Sequence, residues 1–276
     1  MSQSLQIGVL LVLVGGALLR IAAGDEYLRY VKESMKPWLL LSGGLLVVLG
    51  ILALVDVLRS AVRLPVTVKL RIGVVEQERG AARIERLQRF EADDEGRLHE
   101  FARAIVAAGC DGLIVHARQA VLGGLSPHEN RTVPPLRFDV VERLRAAFPS
   151  VPFAVNGGIR DVNAVVQALG WCDSVMIGRE AYNRPWLLAE LQQQLYPQDD
   201  WRRPSADEVL EHMIGYAAPL LASGHRLSAI TRHMLGLLTH TPGAREFRRL
   251  LAEGSRAAGA DISVLQSARA LLRPAA

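Results

Sequence analysis

The sequence predicts an α/β fold with a membrane-spanning start: two apolar helices, then a run of β/α units on a parallel sheet, then a bundle of helices. Three observations carry this. Two long apolar runs lie between Ile7 and Val55, short strand-like apolar words alternate with charged amphipathic stretches from Pro65 to Ile177, and from Pro204 onward the apolar spacing is helical only. The 276 residues hold 32 Lys and Arg against 28 Asp and Glu, a net charge of +4, which suits a polyanionic partner without selecting one. Cys110 and Cys172 have no metal-ligand spacing, which argues against a disulfide framework or zinc site and for a reducing compartment.

Ile7–Leu19 is an unbroken apolar and glycine run, interrupted by Arg20 and extended by Ile21–Gly24; Trp38–Val55 is a second, with Ser42 as its polar residue. Each approaches the ~20 residues needed to cross a bilayer core. Gly15-Gly16 and Gly43-Gly44 suit close helix packing in lipid, and Trp38, Tyr27 and Tyr30 stand where interfacial aromatics are expected. The short charged linker Asp25–Pro37 makes the pair a transmembrane helical hairpin over residues 1–60, in contact with the membrane through residues 7–57. A cleaved signal peptide would carry a positive start, and Met1–Gln6 has no Lys or Arg. Leu54–Val62 reads either as the end of the second span or as a barrel helix preceding the strand at Pro65.

Pro65–Arg71 reads as a short buried strand, and Glu76–Ala108 as a charged helix closed by Gly109. Strand Gly112–His116 comes next, then a long loop through Pro135, helix Phe138–Phe148, strand Pro152–Asn156, helix Asp161–Leu169 and strand Ser174–Ile177. These are four β/α units, about half of the eight in a closed (β/α)₈ barrel, so they form an open half-barrel or part of something larger. Helices are expected at Ala206–Ala222, Leu227–Leu238, Pro242–Ala252 and Asp261–Leu272.

Polar groups collect at the C-terminal ends of the four strands: Lys69, His116, Asn156 with Gly157-Gly158, and Gly178-Arg179. That rim is where parallel α/β barrels bind ligands, and glycine turns after the last two strands are a recurrent phosphate site. Taken singly, Lys69 reads equally as a solvated lysine, His116 as a hydrogen-bonded core histidine and the glycines as plain turn residues. Cys110 and Cys172 read as structural, with no base beside them in sequence.

The words PVTVKLRIG, AGCDGLIVHAR, GLSPHENRTVPPL, NGGI, VMIGREAYNRPWLL, ITRHMLGLL and PGAREFRRLL resemble, in order, the second half of bacterial tRNA-dihydrouridine synthases of the A subfamily, over residues 61 to 275. The resemblance implies a partial TIM (β/α)₈ barrel (second half, residues 61–200, with an FMN phosphate site) plus a C-terminal helical tRNA-binding bundle (201–276), preceded by an unrelated two-span membrane segment. The activity implied is the FMN- and NADPH-dependent reduction of uridine to dihydrouridine in tRNA. Carried over by motif, Lys69 and His116 contact the flavin ring system, and Asn156, Gly157, Gly158, Gly178 and Arg179 hold the FMN tail. His128 and Arg131, in the word GLSPHENR, and Arg245 and Arg248, joined by Arg249 on one helix, meet tRNA. A plain solvated helix face is the ordinary alternative for the last three.

The family's opening half, with its loop cysteine that protonates the uracil, has no counterpart word here, so no catalytic residue is assigned. Val74–Gly96 is longer than the family norm. The expectation is a truncated, membrane-fused family member, inactive alone or working with a homodimer mate or a partner that brings the missing half. It would sit in the inner (cytoplasmic) membrane with its C-terminal domain in the cytoplasm, or in the cytoplasm outright if the first segment is not a membrane hairpin.

Overall fold

The computed structural model describes residues 3–23, 35–76, 89–122, 125–239 and 241–272. Tyr27, Tyr30 and the rest of the expected interhelical linker up to residue 34 lie outside the described residues, as do 77–88 of the expected long helix. The chain divides into two units: Met1–Gly158 with Val166–Met176, and Ile159–Val165 with Ile177–Ala276.

The first unit opens with α1 (Gln3–Ala23) and α2 (Lys36–Ala61). Both are long and apolar enough to cross a membrane by length and composition, with mean hydropathies of 2.2 and 2.6. They pack antiparallel along a glycine seam. A Cβ on Gly15 would stand 2.6 Å from the Gly43 carbonyl oxygen, and one on Gly50 would stand 2.8 Å from that of Gly8. Gly16 and Gly44, expected in the seam, face open space, and Gly8 and Gly50 serve instead. Apolar side chains such as Leu10, Leu13, Trp38, Leu41 and Leu45 point outward. Ser42 donates its hydroxyl to the Trp38 carbonyl of its own helix at 2.8 Å, so it needs no other partner.

Four parallel strands come after the helices, in the order β1 (Thr67–Arg71), β3 (Gly112–His116), β5 (Phe153–Asn156) and β6 (Ser174–Met176). The crossovers carry α3 (Ala92–Ala107), α4 (Phe138–Ala147) and α5 (Val162–Leu169). This is the expected α/β pattern with nearly the expected strand limits. Two differences stand out. Glu76, expected to start a helix, ends β2 (Val74–Glu76), which pairs in parallel with β4 (Ala120–Leu122) from within the expected loop. Three-residue strands are too short to show a period. The helix itself starts only at Ala92, where the Asp94 carboxylate accepts the Glu91 N–H at 3.2 Å. Gly109 closes it as expected, with φ at +92°.

One device is built twice. Asp111, just before β3, accepts the Val66 N–H at 2.7 Å and the Arg59 guanidinium of α2 at 2.7 Å. Asp173, just before β6, accepts the Phe153 N–H at 2.9 Å and the Arg145 guanidinium of α4 at 2.8 Å. In both cases the helix preceding one strand is tied to the aspartate preceding the next. The C-terminal turns of α2 therefore occupy the place of a β/α-unit helix before β1, while the same unbroken helix carries the apolar span.

The second unit is helical: α6 (Arg179–Asn183), α7 (Trp186–Leu195), α8 (Ala206–Ala222), α9 (Ser228–Thr231), α10 (Ala244–Glu253) and α11 (Ser263–Ala270). Its core is Leu210, Ala217, Leu227, Ile230, Phe247, Leu251 and Leu265 with their neighbours. α8 has the expected limits, and its Ser205 hydroxyl accepts the Glu208 N–H at 3.2 Å. α6 and α7 were not expected. Leu227–Leu238, expected as one helix, is helical only over α9; Leu227, Ile230, Met234 and Leu237 are nevertheless buried, by successive turns instead. The chain is diverted there because Gly236 packs against the backbone of Asn183, and the Leu237 carbonyl takes the Trp186 indole N–H at 2.8 Å.

Candidate functional site

Strand pleating sorts each strand into two faces. Leu70, Leu113, Val115, Phe153 and Val155 are buried on one face. The other carries two rows fixed by the register: Arg71, His116, Asn156 and Met176 at the C-terminal ends, and Lys69, Ile114, Ala154 and Ser174 behind them. The structure thus brings Lys69, His116 and Asn156 onto one face of one sheet. The Lys69 ammonium reaches the Met176 sulfur at 3.1 Å, a weak acceptor, and has no carboxylate partner among the described residues. The Asn156 side-chain amide donates to the Met176 carbonyl at 2.8 Å, which fixes its orientation across β5 and β6.

Arg71 belongs to this face and was not singled out in the sequence. Its place two residues after Lys69 in a strand was the available signal. One terminal nitrogen donates to the Gln119 carbonyl at 2.9 Å and to the Asn130 carbonyl at 2.8 Å. Burial first, and then the like charge of Arg131, pull its pKa below the ordinary arginine value. Asn130 in turn donates to the Val121 carbonyl at 2.7 Å and accepts the Val121 N–H at 2.9 Å. The exposed side chains of His128 and Arg131 therefore flank a residue pinned to β4 and to β1.

Past β5 the chain turns through Gly157 and Gly158, with φ of +109° and +72°. Both are conformations that only glycine adopts cheaply. A Cβ on Gly157 would also stand 2.6 Å from Cδ2 of His116, so the glycine lets the imidazole lie against the turn. Cys110 is half-buried and Cys172 buried, and burial pushes both thiols above the ordinary value.

Gly178 and Arg179 belong to the second unit, where Arg179 is exposed and opens α6. On α10 the three arginines differ. Arg249 is held by Glu246 at 2.5 Å and by Glu253 at 3.7 Å. Arg248 donates only to the Ala244 carbonyl of its own helix, at 3.3 Å, and neither it nor Arg245 has a carboxylate partner among the described residues.

Residues 49–273 match the dihydrouridine synthase (Dus) family. This chain belongs to that family. Among its relatives, the tRNA-dihydrouridine(20/20a) synthase of Shewanella oneidensis is 40% identical over 214 residues, which cover 78% of this chain and 59% of that protein. That of Pseudomonas syringae pv. tomato is 43% identical over 200 residues, 72% of this chain and 54% of the relative. That of Escherichia coli K12 is 39% identical over 221 residues, 79% and 59% of the two chains. The chain thus spans between 54% and 59% of the length of these relatives. The family match begins at residue 49, inside α2, which agrees with the Arg59–Asp111 tie: the end of α2 is at once the end of the apolar helix and a family element.

Proposed function

We propose that the first unit is the second half of a tRNA-dihydrouridine synthase barrel and the second unit its tRNA-gripping helical domain. The Lys69, Arg71, His116 and Asn156 face, ending in the Gly157-Gly158 turn, is the observation that carries this reading. In it Asn156, Gly157, Gly158, Gly178 and Arg179 hold the phosphate tail of FMN. Two features support the tail site, one on each unit: the positive-φ turn with Gly158 exposed on the first, and on the second the open space within 4 Å of where a Cβ on Gly178 would lie. Arg179 brings a planar fork suited to phosphate oxygens. Lys69, free of any carboxylate among the described residues, puts positive charge beside the pyrimidine edge of the flavin, where reduction leaves negative charge. FMN, reduced by NADPH, would supply the hydride for the uracil ring. The chain's own residues bind, orient and neutralise.

His128, Arg131, Arg245 and Arg248 would contact tRNA phosphates, giving affinity and register. A flipped-out uracil would have to reach the open face, since a stacked base is inaccessible. Neither cysteine lies at that rim: Cys110 and Cys172 stand just before the N-terminal ends of β3 and β6, at the opposite end of the strands from His116 and Asn156. We therefore infer a chain that binds FMN and tRNA but does not complete the reduction alone. The outer edges of β1 and β6 would take up a second copy, or a partner with the missing half. The α1–α2 pair would hold it in the cytoplasmic membrane with both termini in the cytoplasm.

The test uses the full chain in detergent micelles. Quenching of FMN fluorescence that weakens in Lys69→Ala and Arg179→Ala supports the site; no quenching by the parent chain overturns it. Clear dihydrouridine formation in unmodified tRNA with NADPH overturns the inference of inactivity.

A further inference from the structure

We infer that the second unit carries a second phosphate-binding surface for an RNA strand, made by Arg226, Arg232 and Arg256, which continues the line begun by Arg245 and Arg248. This rests on the RNA-binding reading above and extends it to residues outside the Arg245–Arg248 pair.

Two hollows of 430 and 370 Å³ share Arg226, Ser228, Ser255 and Arg256 in their walls, and Arg232 lines the second. All three arginines are exposed, and none has a carboxylate partner among the described residues. This contrasts with Arg202, Arg249 and Arg269 of the same unit, each ion-paired with a glutamate or aspartate. The Nε of Arg232 donates to Nε2 of His233 at 2.9 Å, and Nδ1 of that ring meets the Tyr182 hydroxyl at 2.9 Å. The root of the Arg232 guanidinium is therefore braced while its terminal nitrogens stay available.

The floor between them is fixed. Thr231, 1% exposed, donates its hydroxyl to Ser255 at 2.9 Å; Ser255, 4% exposed, donates to the Leu251 carbonyl at 2.6 Å. Each of these buried hydroxyls is followed directly by an arginine, so the pin sets the separation of the Arg232 and Arg256 backbones. Arg226 likewise precedes Leu227, which is 1% exposed. Ala252 lines the same hollow and lies four residues after Arg248 and seven after Arg245, on their face of α10. At 1.5 Å per residue, Arg245 to Ala252 runs about 10 Å along α10, and Arg256 follows on the 3-10 turn Gly254–Arg256, a reach long enough to follow successive phosphates of one strand.

A lipid headgroup would present the same phosphate chemistry. However, stable attachment to a bilayer surface also wants exposed apolar side chains beside the charges, and no large exposed hydrophobic residue lines either hollow. The observations favour RNA.

The test measures binding of an unmodified tRNA transcript to the full chain in micelles at several salt concentrations, comparing the parent with R245Q/R248Q, R226Q/R256Q and R226K/R256K. R226Q/R256Q should bind roughly tenfold more weakly near 0.1 M salt and lower the slope of log K against log salt by about 1.5, as for two lost phosphate contacts. The lysine variant should keep the slope, which separates charge from any damage to folding. No binding by the parent overturns the underlying RNA reading. Loss in R245Q/R248Q with parental binding in R226Q/R256Q overturns this inference alone. Unchanged tRNA binding with lost binding to anionic phospholipid vesicles would assign the surface to lipid and overturn it as well.

Discussion

Gly157→Ala tests the turn and the face it serves together. The new Cβ would stand 2.6 Å from Cδ2 and 2.9 Å from Nε2 of His116, and 3.2 Å from a Leu136 methyl, on a backbone with φ of +109°. The left-handed conformation alone costs an L-residue about 1–2 kcal/mol. Relief of the overlap requires the imidazole to retreat by about 1 Å to reach ordinary contact. Gly224→Ala is the comparison: its φ is +89°, but a Cβ there meets nothing within 4 Å, so it carries the strain without the collision. Thermal unfolding of both variants, followed by far-UV circular dichroism in micelles, should show Gly157→Ala the less stable by about 1–2 kcal/mol more, the order of an off-rotamer side chain plus local repacking. FMN fluorescence quenching should be weakened at least roughly tenfold in Gly157→Ala, on the order of 1.4 kcal/mol, and unchanged in Gly224→Ala. Equal melting of the two variants, or parental FMN binding by Gly157→Ala, would refute the argument that this turn positions His116 for a ligand.

Other parts of the chain lend themselves to tests of their own. The Asp139 carboxyl is pulled down to about 2, chiefly by its hydrogen bond from Arg137 and further by Arg143. A depressed acid contributes stability that is full above its unfolded pKa of about 3.9 and is lost as pH falls toward the folded value. The parent's stability advantage over Asp139→Asn should therefore be present at pH 6 and vanish near pH 2; a constant difference across that range would contradict the pairing. Gly43→Leu should separate α1 from α2, because a Cβ there already stands 3.0 Å from the Gly15 carbonyl oxygen, whereas Gly44→Leu should be tolerated; cross-linking between cysteines placed on the two helices would fall in the first variant only. Cys110 and Cys172, both with thiol pKa values raised by burial, should react with iodoacetamide at pH 7 far more slowly than a free thiol; rapid labelling of the folded chain would contradict their burial.

Much of this was legible because the strands are buried on one face and carry chemistry on the other. Gly112–His116 was read with its true limits, since Leu113 and Val115 are buried while Ile114 and His116 are half-buried. Lys69, His116 and Asn156 were legible as a set because parallel register places strand ends side by side. Arg71 was missed, since in sequence it looks like one more charge after a strand, and only Gln119 and Asn130 reveal its role as a clamp. β2 and β4 could not be seen in three-residue words whose partners lie far apart in the chain. The Leu227–Leu238 error has a different cause: a helix and a chain of tight turns bury the same residues, and the backbone of Asn183, distant in sequence, decides between them. The sequence likewise offered two readings of Leu54–Val62 as rivals. The unbroken helix from Lys36 to Ala61 has the length and apolarity the first asks for, and its Arg59–Asp111 tie is the one the second asks for.

That helix has one further consequence. At its midpoint Gly50 meshes with Gly8, and two and a half turns later Arg59 grips Asp111, with no joint between. Adding or removing a single residue there would swing one contact by about 100° relative to the other and shift it by about 1.5 Å. The segment between them can change its side chains but not its length, so the glycine seam and the α/β sheet are locked in phase as two gears on one shaft.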